Sequence, residues 1–299
     1  MQESVIIIMG PTGSGKSNFV NKLIDIKEDK AACGLKSHTQ SIREFHISTS
    51  NGVYVFVDTP RFDDTYRSDR EVLRMIANWL EEKYRGNVKP SGIIYTHRIT
   101  DNRMSGSVCK NLDMFSKICG DKSAERVRLV TTMWDRVKDQ SLSSSRVAQL
   151  EGNFWRPLID LGARHRKFHN TQQSAWEIIS DVVGKSEATL LQEELVDAER
   201  RLNETTAGRG LYTQSQRLLQ EQKDTIKRLG EEAKVQQDPK LAKELEVEYK
   251  RIEAQLQKTW EEVDKLKLPF LRRLTLFFSK KTKAHTIEIN TEAMRNAFI

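Results

Sequence analysis

What this 299-residue chain most lacks is a long apolar run. No stretch approaches the roughly 18 consecutive apolar residues that a membrane-spanning helix needs. With 37% hydrophobic and 30% charged residues, the composition is too polar for a membrane-spanning protein. VIIIM at 5–9 is too short and wrongly flanked for a signal peptide, and reads instead as a buried first strand. Cysteine is also sparse. Cys33, Cys109 and Cys119 make no metal-ligand spacing and cannot all pair, so a reducing, cytoplasmic setting is expected. Glycine and proline thin out beyond about residue 185.

Charge is plentiful but uneven. The chain carries a net +7, and from Asp264 onward eight Lys/Arg face three Asp/Glu, a local excess of +5. A basic tail of this kind is either a solvated segment or a surface for an anionic partner, a lipid bilayer before nucleic acid. Charge alone is a weak reason to expect nucleic-acid binding.

Up to residue 184, apolar runs alternate with amphipathic stretches. VIIIMG (5–10), REFHIS (43–48), VYVFVD (53–58), GIIYTH (92–97), RVRLVTT (126–132) and RKFHN (166–170) read as strands. Helices are expected at 16–26, 68–84, 107–119, 142–160 and 173–183. The alternation predicts an α/β fold, a three-layer domain around a mostly parallel sheet. TSNG between the second and third strands is a hairpin signal, so one antiparallel pair is expected.

From 185 to 268 the strand signals stop. A coiled-coil-type seam runs Ala242, Leu245, Tyr249, Ile252, Leu256, Thr259, Val263, Leu266 and Phe270. An earlier seam, Ala188, Leu191, Leu195, Ala198 and Leu202, is out of register with it. Breaks are expected at TAGRG (206–210) and QQDPK (236–240), giving two or three helices that fold back as hairpins or pair with a second chain. Residues 269–299 form a basic amphipathic tail. Phe270, Leu271, Leu274, Phe277 and Phe278 would share one helical face, with Arg272, Arg273, Lys280 and Lys281 around them. Residues 268–283 would then lie on an anionic membrane surface, or dock on the chain's own first domain with TIEIN (286–290) as a returning strand.

The chemistry begins at GPTGSGKS, residues Gly10, Pro11, Thr12, Gly13, Ser14, Gly15, Lys16 and Ser17, followed by Asn18. The run sits between a strand and a helix, the context in which G-x-x-x-x-G-K-[ST] cradles phosphate. Glycines let backbone N–H groups turn inward, and the helix N-terminus adds partial positive charge. Lys16 would reach the terminal phosphates and Ser17 would offer its hydroxyl to Mg²⁺. Asp58 ends the VYVFVD strand, 42 residues after Lys16, and suits a carboxylate holding a water on Mg²⁺. Its alternative is a turn cap. Asp135, just past RVRLVTT and after Thr132, Met133 and Trp134, could accept both N–H groups of a guanine edge; adenine lacks that donor pair. As an alternative, it caps the turn that follows.

GPTGSGKS, the Thr of KSHTQ, DTPRFDD, TTMWD and FHNT stand in the order of the five GTPase motifs. Across about residues 4–184 the chain resembles the P-loop GTPases of the septin-like branch: septins, immunity-associated GTPases and chloroplast-import GTPases. It is most similar to single-domain fungal members with a helical C-terminal region. The resemblance implies GTP/GDP and Mg²⁺ as ligands, with Thr39 touching the metal when triphosphate is bound, Asp58 anchoring it through water and Asp135 reading guanine. Asn170 would lie near the base, with Ser174 and Ala175 as the alternative for that motif. Arg98, in YTHRITDN, would lie near a homodimer face or be a surface residue.

The chain departs from the pattern in two places. Met133 stands where a Lys is usual, so a thioether would cover the base, and Trp134 would stack or be buried. In DTPRFDD, Arg61 replaces the Gly whose N–H meets the γ-phosphate, and Phe62 replaces a residue that often aligns the attacking water. If φ must be positive at Arg61, its side chain costs on the order of 1 kcal/mol. Arg61 would neutralise phosphate as an arginine finger does, or point to solvent. Slow hydrolysis, raised by self-association, is therefore expected. The alternatives are a nucleotide-stabilised scaffold that does not hydrolyse, and an ATP-using P-loop transferase or kinase.

Overall fold

The computed structural model describes residues 3–24, 41–50, 52–62, 67–235 and 239–268. Thr39, Asp63, Asp64, Cys33 and the expected tail helix, together with TIEIN, lie outside these residues. The chain divides into two compact units. Among the described residues, one takes in everything to Ala207 and the other begins at Gly208.

The first unit is built on six strands: β1 (Glu3–Met9), β2 (Arg43–Thr49), β3 (Gly52–Asp58), β4 (Gly92–Arg98), β5 (Val127–Thr132) and β6 (Arg164–Lys167). Their spatial order is β2-β3-β1-β4-β5-β6, with β2 antiparallel to β3 and the other pairs parallel. The expected hairpin is present, with Thr49 opposite Gly52. Interspersed are α1 (Lys16–Leu23), α2 (Asp69–Arg85), α3 (Gly106–Cys119), α4 (Gln140–Gln149), α5 (Arg156–Asp160) and α6 (Gln172–Val182). β1, β4 and β5 are buried along almost their whole length because parallel strands are covered on both faces. β2, at the edge of the sheet, mixes partly buried and exposed residues.

The core on one face gathers Ile6, Ile8, Phe56, Ile94 and Val130 from the sheet against Phe19 and Val20 of α1 and Ile178 and Ile179 of α6. Phe19 meets Phe168 edge to face, with ring centroids 5.0 Å apart. On the other side of the domain, α2 buries Val72, Leu73, Ile76, Ala77 and Leu80. Ser68 and Glu71 start that helix with a reciprocal cap, satisfying N–H groups that lack helical partners. β1 has β3 on one side and β4 on the other, so the chain topology reverses there. In open α/β sheets ligands bind beyond the carboxyl ends of the strands at such a point, and the loop after Met9 leaves β1 there.

Three expectations for the first unit are corrected. The strand expected at 166–170 runs Arg164–Lys167. Phe168 still donates its N–H to Thr131, but Asn170 turns to φ 59° and Thr171 caps α6, so extension ends. The helix expected at 142–160 is split by a wide turn at Leu150–Phe154, closed by Trp155 N–H to Leu150 O at 2.7 Å. Pro157 lies in the first turn of α5, where its missing N–H is harmless; inside one continuous helix it would break the ladder. The seam at 188–202 is no coiled coil. Leu191 and Leu195 are buried in the first unit, in short helical turns from α7 (Leu190–Gln192) through Asp197. These pack on α2 and α3, where Gln192 donates to Leu80 O at 3.1 Å.

The second unit is helical. α8 runs Thr206–Val235, straight through the break expected at 206–210, and α9 runs Pro239–Leu266. Glycine weakens a helix but does not forbid it, and here two fall in its first turns. A Cβ added at Gly230 would lie 3.9 Å from the Tyr249 ring, so α8 and α9 lie side by side there, as in a hairpin. The expected seam from Ala242 to Val263 is the half-buried face of α9.

Candidate nucleotide site

The loop from Gly10 to Gly15 leaves β1 and enters α1 through three glycines with φ of 148°, 70° and 88°. These angles suit glycine alone at Gly10, where an added Cβ would lie 2.5 Å from Thr96 O and Oγ1. Thr96 is a buried polar residue in the middle of apolar β4. Its Oγ1 lies 2.6 Å from Ser14 Oγ, which ties β4 to the loop. Thr132, at the end of β5, donates to Ser14 O at 2.8 Å. Two strands therefore grip the loop from behind. In the sequence Thr96 is only a small polar residue within GIIYTH, and nothing local marks its role.

Lys16 opens α1 and is buried. Its ammonium donates to Gly10 O at 2.6 Å and Pro11 O at 3.3 Å, curled over its own loop. Burial pushes its pKa down to about 8; Asp58 acts against this and the charge of Arg61 adds to it. Ser17 donates its hydroxyl to Asp58 Oδ2 at 3.2 Å, across 41 residues. Hydroxyl and carboxylate thus meet at the helix N-terminus, the oxygen set that an octahedral Mg²⁺ shared with phosphate would use. These two residues fit the ion.

Phe62 is buried at 5% exposure, so its ring is part of the core. Arg61 is half-buried, close enough to Lys16 for their charges to interact. Arg98 pairs with Asp101 at 2.9 Å and reaches the phosphate loop, its Nη1 3.2 Å from where a Gly13 Cβ would sit.

At its carboxyl end β5 passes through Met133 (φ 63°) into a short turn that exposes Asp135. Asn170 (φ 59°) follows β6 and donates to Asp135 Oδ2 at 3.4 Å. Asn18 donates to Asn170 Oδ1 at 2.8 Å. Ser174 and Ala175 sit elsewhere: Ser174 caps α6 with Thr171, and Ala175 is fully buried. Trp134 is held from both sides. Its N–H donates to Thr131 at 2.9 Å, and the Lys167 ammonium lies 4.5 Å from its ring centroid. Thr100 donates to the Met133 sulfur at 3.7 Å.

Residues 5–101 match the family model described as 50S ribosome-binding GTPase. The first unit has the fold of a P-loop GTPase domain. The matched stretch of the GTPase domain contains the cradle, Asp58 and Arg98, and stops before Asp135 and Asn170. Solved structures resemble it at low identity. Toc33 from Arabidopsis thaliana, in complex with Mg²⁺ and GMPPNP, shares 16% identity over 67% of this chain and 87% of its own, with a TM-score of 0.43. A structure of the chloroplast translocon components atToc33 and psToc159 gives 14%, 61%, 82% and 0.48. A point variant of Era from Aquifex aeolicus, bound to GDP and AlF₄⁻, gives 13%, 63%, 59% and 0.41. No curated protein matches the sequence.

Proposed function

We propose that the protein binds guanine nucleotide with Mg²⁺ and hydrolyses GTP slowly, as a switch or dimerising scaffold of the septin-like branch. One observation bears most of the weight. The phosphate loop, the Ser17–Asp58 pair and the Asp135–Asn170 pair all open on the carboxyl ends of β1, β3 and β5. In this reading Gly10, Pro11, Thr12, Gly13, Ser14 and Gly15 wrap the phosphates, and Lys16 leaves its carbonyl partners to neutralise them. Ser17, Thr39 and Asp58 serve the metal, which when bound supplies charge at the terminal phosphates. Thr132 braces the loop, and Asp135 with Asn170 reads the base.

Slow turnover follows from what stands after Asp58. A buried Phe62 reaches no water, and Arg61 brings a charge but no ready water aligner. Self-association through the GTPase domain or the helical unit would complete the site. The same two residues favour the second reading, a scaffold stabilised by nucleotide and unable to hydrolyse it. A cytoplasmic site of action is proposed, with peripheral membrane attachment through 268–283; no helix among the described residues is long and apolar enough to cross a membrane.

Competition binding of GTP against ATP tests the base. Equal affinity would instead favour an ATP-using transferase or kinase. Single-turnover hydrolysis across a range of protein concentrations tests the rest. The expected rate is well below about 1 s⁻¹ and rises with concentration; a concentration-independent rate above that value excludes the slow, association-dependent GTPase, and no turnover at any concentration selects the scaffold.

A further inference from the structure

Asn18 is the first residue after the metal-facing Ser17, in the opening turn of α1. Its amide reaches across 152 residues to Asn170, at 2.8 Å, and Asn170 reaches Asp135 at 3.4 Å. The polarity of this chain is fixed by its far end. An ionised Asp135 only accepts, so Asn170 must present its NH₂ there and its carbonyl oxygen to Asn18. Asn18 fills that need with its own NH₂. Asn170 is the weak link in between: it sits alone in a left-handed turn between β6 and α6, and is half-buried.

We propose that Asn18 is a specificity-determining positioning residue, which sets the Asp135 carboxylate through Asn170. This rests on Asp135 reading guanine. To do so the carboxylate must meet two N–H donors together, one oxygen to each. A carboxylate free to rotate loses the second contact first. The relay would also join the two halves of the ligand, because the helix that starts at the phosphate loop holds the loop that reads the base.

The test is equilibrium binding of GDP, IDP and ADP to the full chain and its Asn18 variants. IDP lacks the 2-amino group and offers Asp135 one donor where GDP offers two. Asn18→Ala should shrink the GDP-to-IDP affinity ratio about fivefold, the worth of one neutral hydrogen bond. If Asn18 mattered only for packing near the phosphates, both nucleotides would weaken alike and the ratio would hold. Asn18→Asp should shrink it further. Two carboxylates would then flank Asn170, whose one NH₂ serves only one of them. A GDP-to-IDP ratio unchanged in Asn18→Ala overturns the relay, whatever the absolute affinities. Should that variant fail to fold, Asn170→Ala must show the same compression, and an unchanged ratio there overturns it equally. Wild-type protein that binds ADP as tightly as GDP overturns the guanine assignment itself; a wild type that prefers GDP leaves the variants to judge the relay alone.

Discussion

His97 shows how one residue can set a stability profile. It lies in β4, is 3% exposed, and its Nδ1 has no hydrogen-bond partner among the described residues. Burial pushes its pKa down to about 4, against a smaller upward pull from Asp101 and a downward push from Arg98. The unfolded chain keeps the ordinary value near 6.5 and so binds this proton first as pH falls. Stability from this group is present above about pH 6.5 and drains away toward pH 4. Between pH 7 and pH 5 the loss should be about 2 kcal/mol. Urea titrations at the two pH values measure it, and His97→Gln should flatten the difference. Phe62 gives a second residue-scale expectation. A switch residue waiting in solvent would tolerate truncation, but this ring is buried. Phe62→Ala should cost about 3 kcal/mol in chemical denaturation. Arg61→Gly tests the side chain rather than backbone strain, because Arg61 is not among the described residues with positive φ. It should strengthen triphosphate relative to diphosphate binding several-fold; if affinity and turnover are both unmoved, Arg61 has no functional weight.

At the scale of elements, the legible parts are those with one period and one environment. VIIIM and VYVFVD read as strands, and GPTGSGKS falls between strand and helix, because continuous apolar runs and glycine-rich turns have few other uses. The 188–202 stretch misleads for a physical reason: spacing of three and four marks any one-sided helix, whether its partner is a second helix or a domain surface. Pro157 is a readable break within 142–160, but the helical pattern on either side of it masks the interruption. Thr96 and the Asn18–Asn170 contact depend on residues 82 and 152 positions apart from their partners, and no local pattern encodes such pairs. The docking of the 190–197 turns makes a sharp prediction. Gly120 ends α3 at φ 73°, and a Cβ there would lie 2.6 Å from Leu190 Cβ. Gly120→Ala should therefore destabilise the GTPase domain by about 2 kcal/mol, from strain plus displacement of these turns. An unchanged melting curve would mean that the 190–197 segment is not needed to hold the domain together.

At the scale of the molecule, the question is what the helical unit is for. Its α9 seam remains only half-buried, from Ala242 to Val263, so the α8–α9 contact leaves apolar surface on the seam face. Trp260 directly follows the seam residue Thr259 and is 51% exposed, a large aromatic left in water. Aromatic side chains at the edge of such a face are common anchors of association. If the unit pairs copies of the chain, Trp260 should become covered when they meet. Dilution should then dissociate a dimer by sedimentation and shift Trp emission to the red. Trp260→Glu should raise the dimer dissociation constant at least about tenfold, since it exchanges a buried ring for a desolvated charge. Helix content should not change, because glutamate is a good helix former. The same variant should remove the concentration dependence of GTP hydrolysis if the arm is what brings two GTPase domains together. If the dimer survives Trp260→Glu, association runs through the GTPase domain; if wild-type chain stays monomeric at every concentration, the dimerising scaffold is excluded.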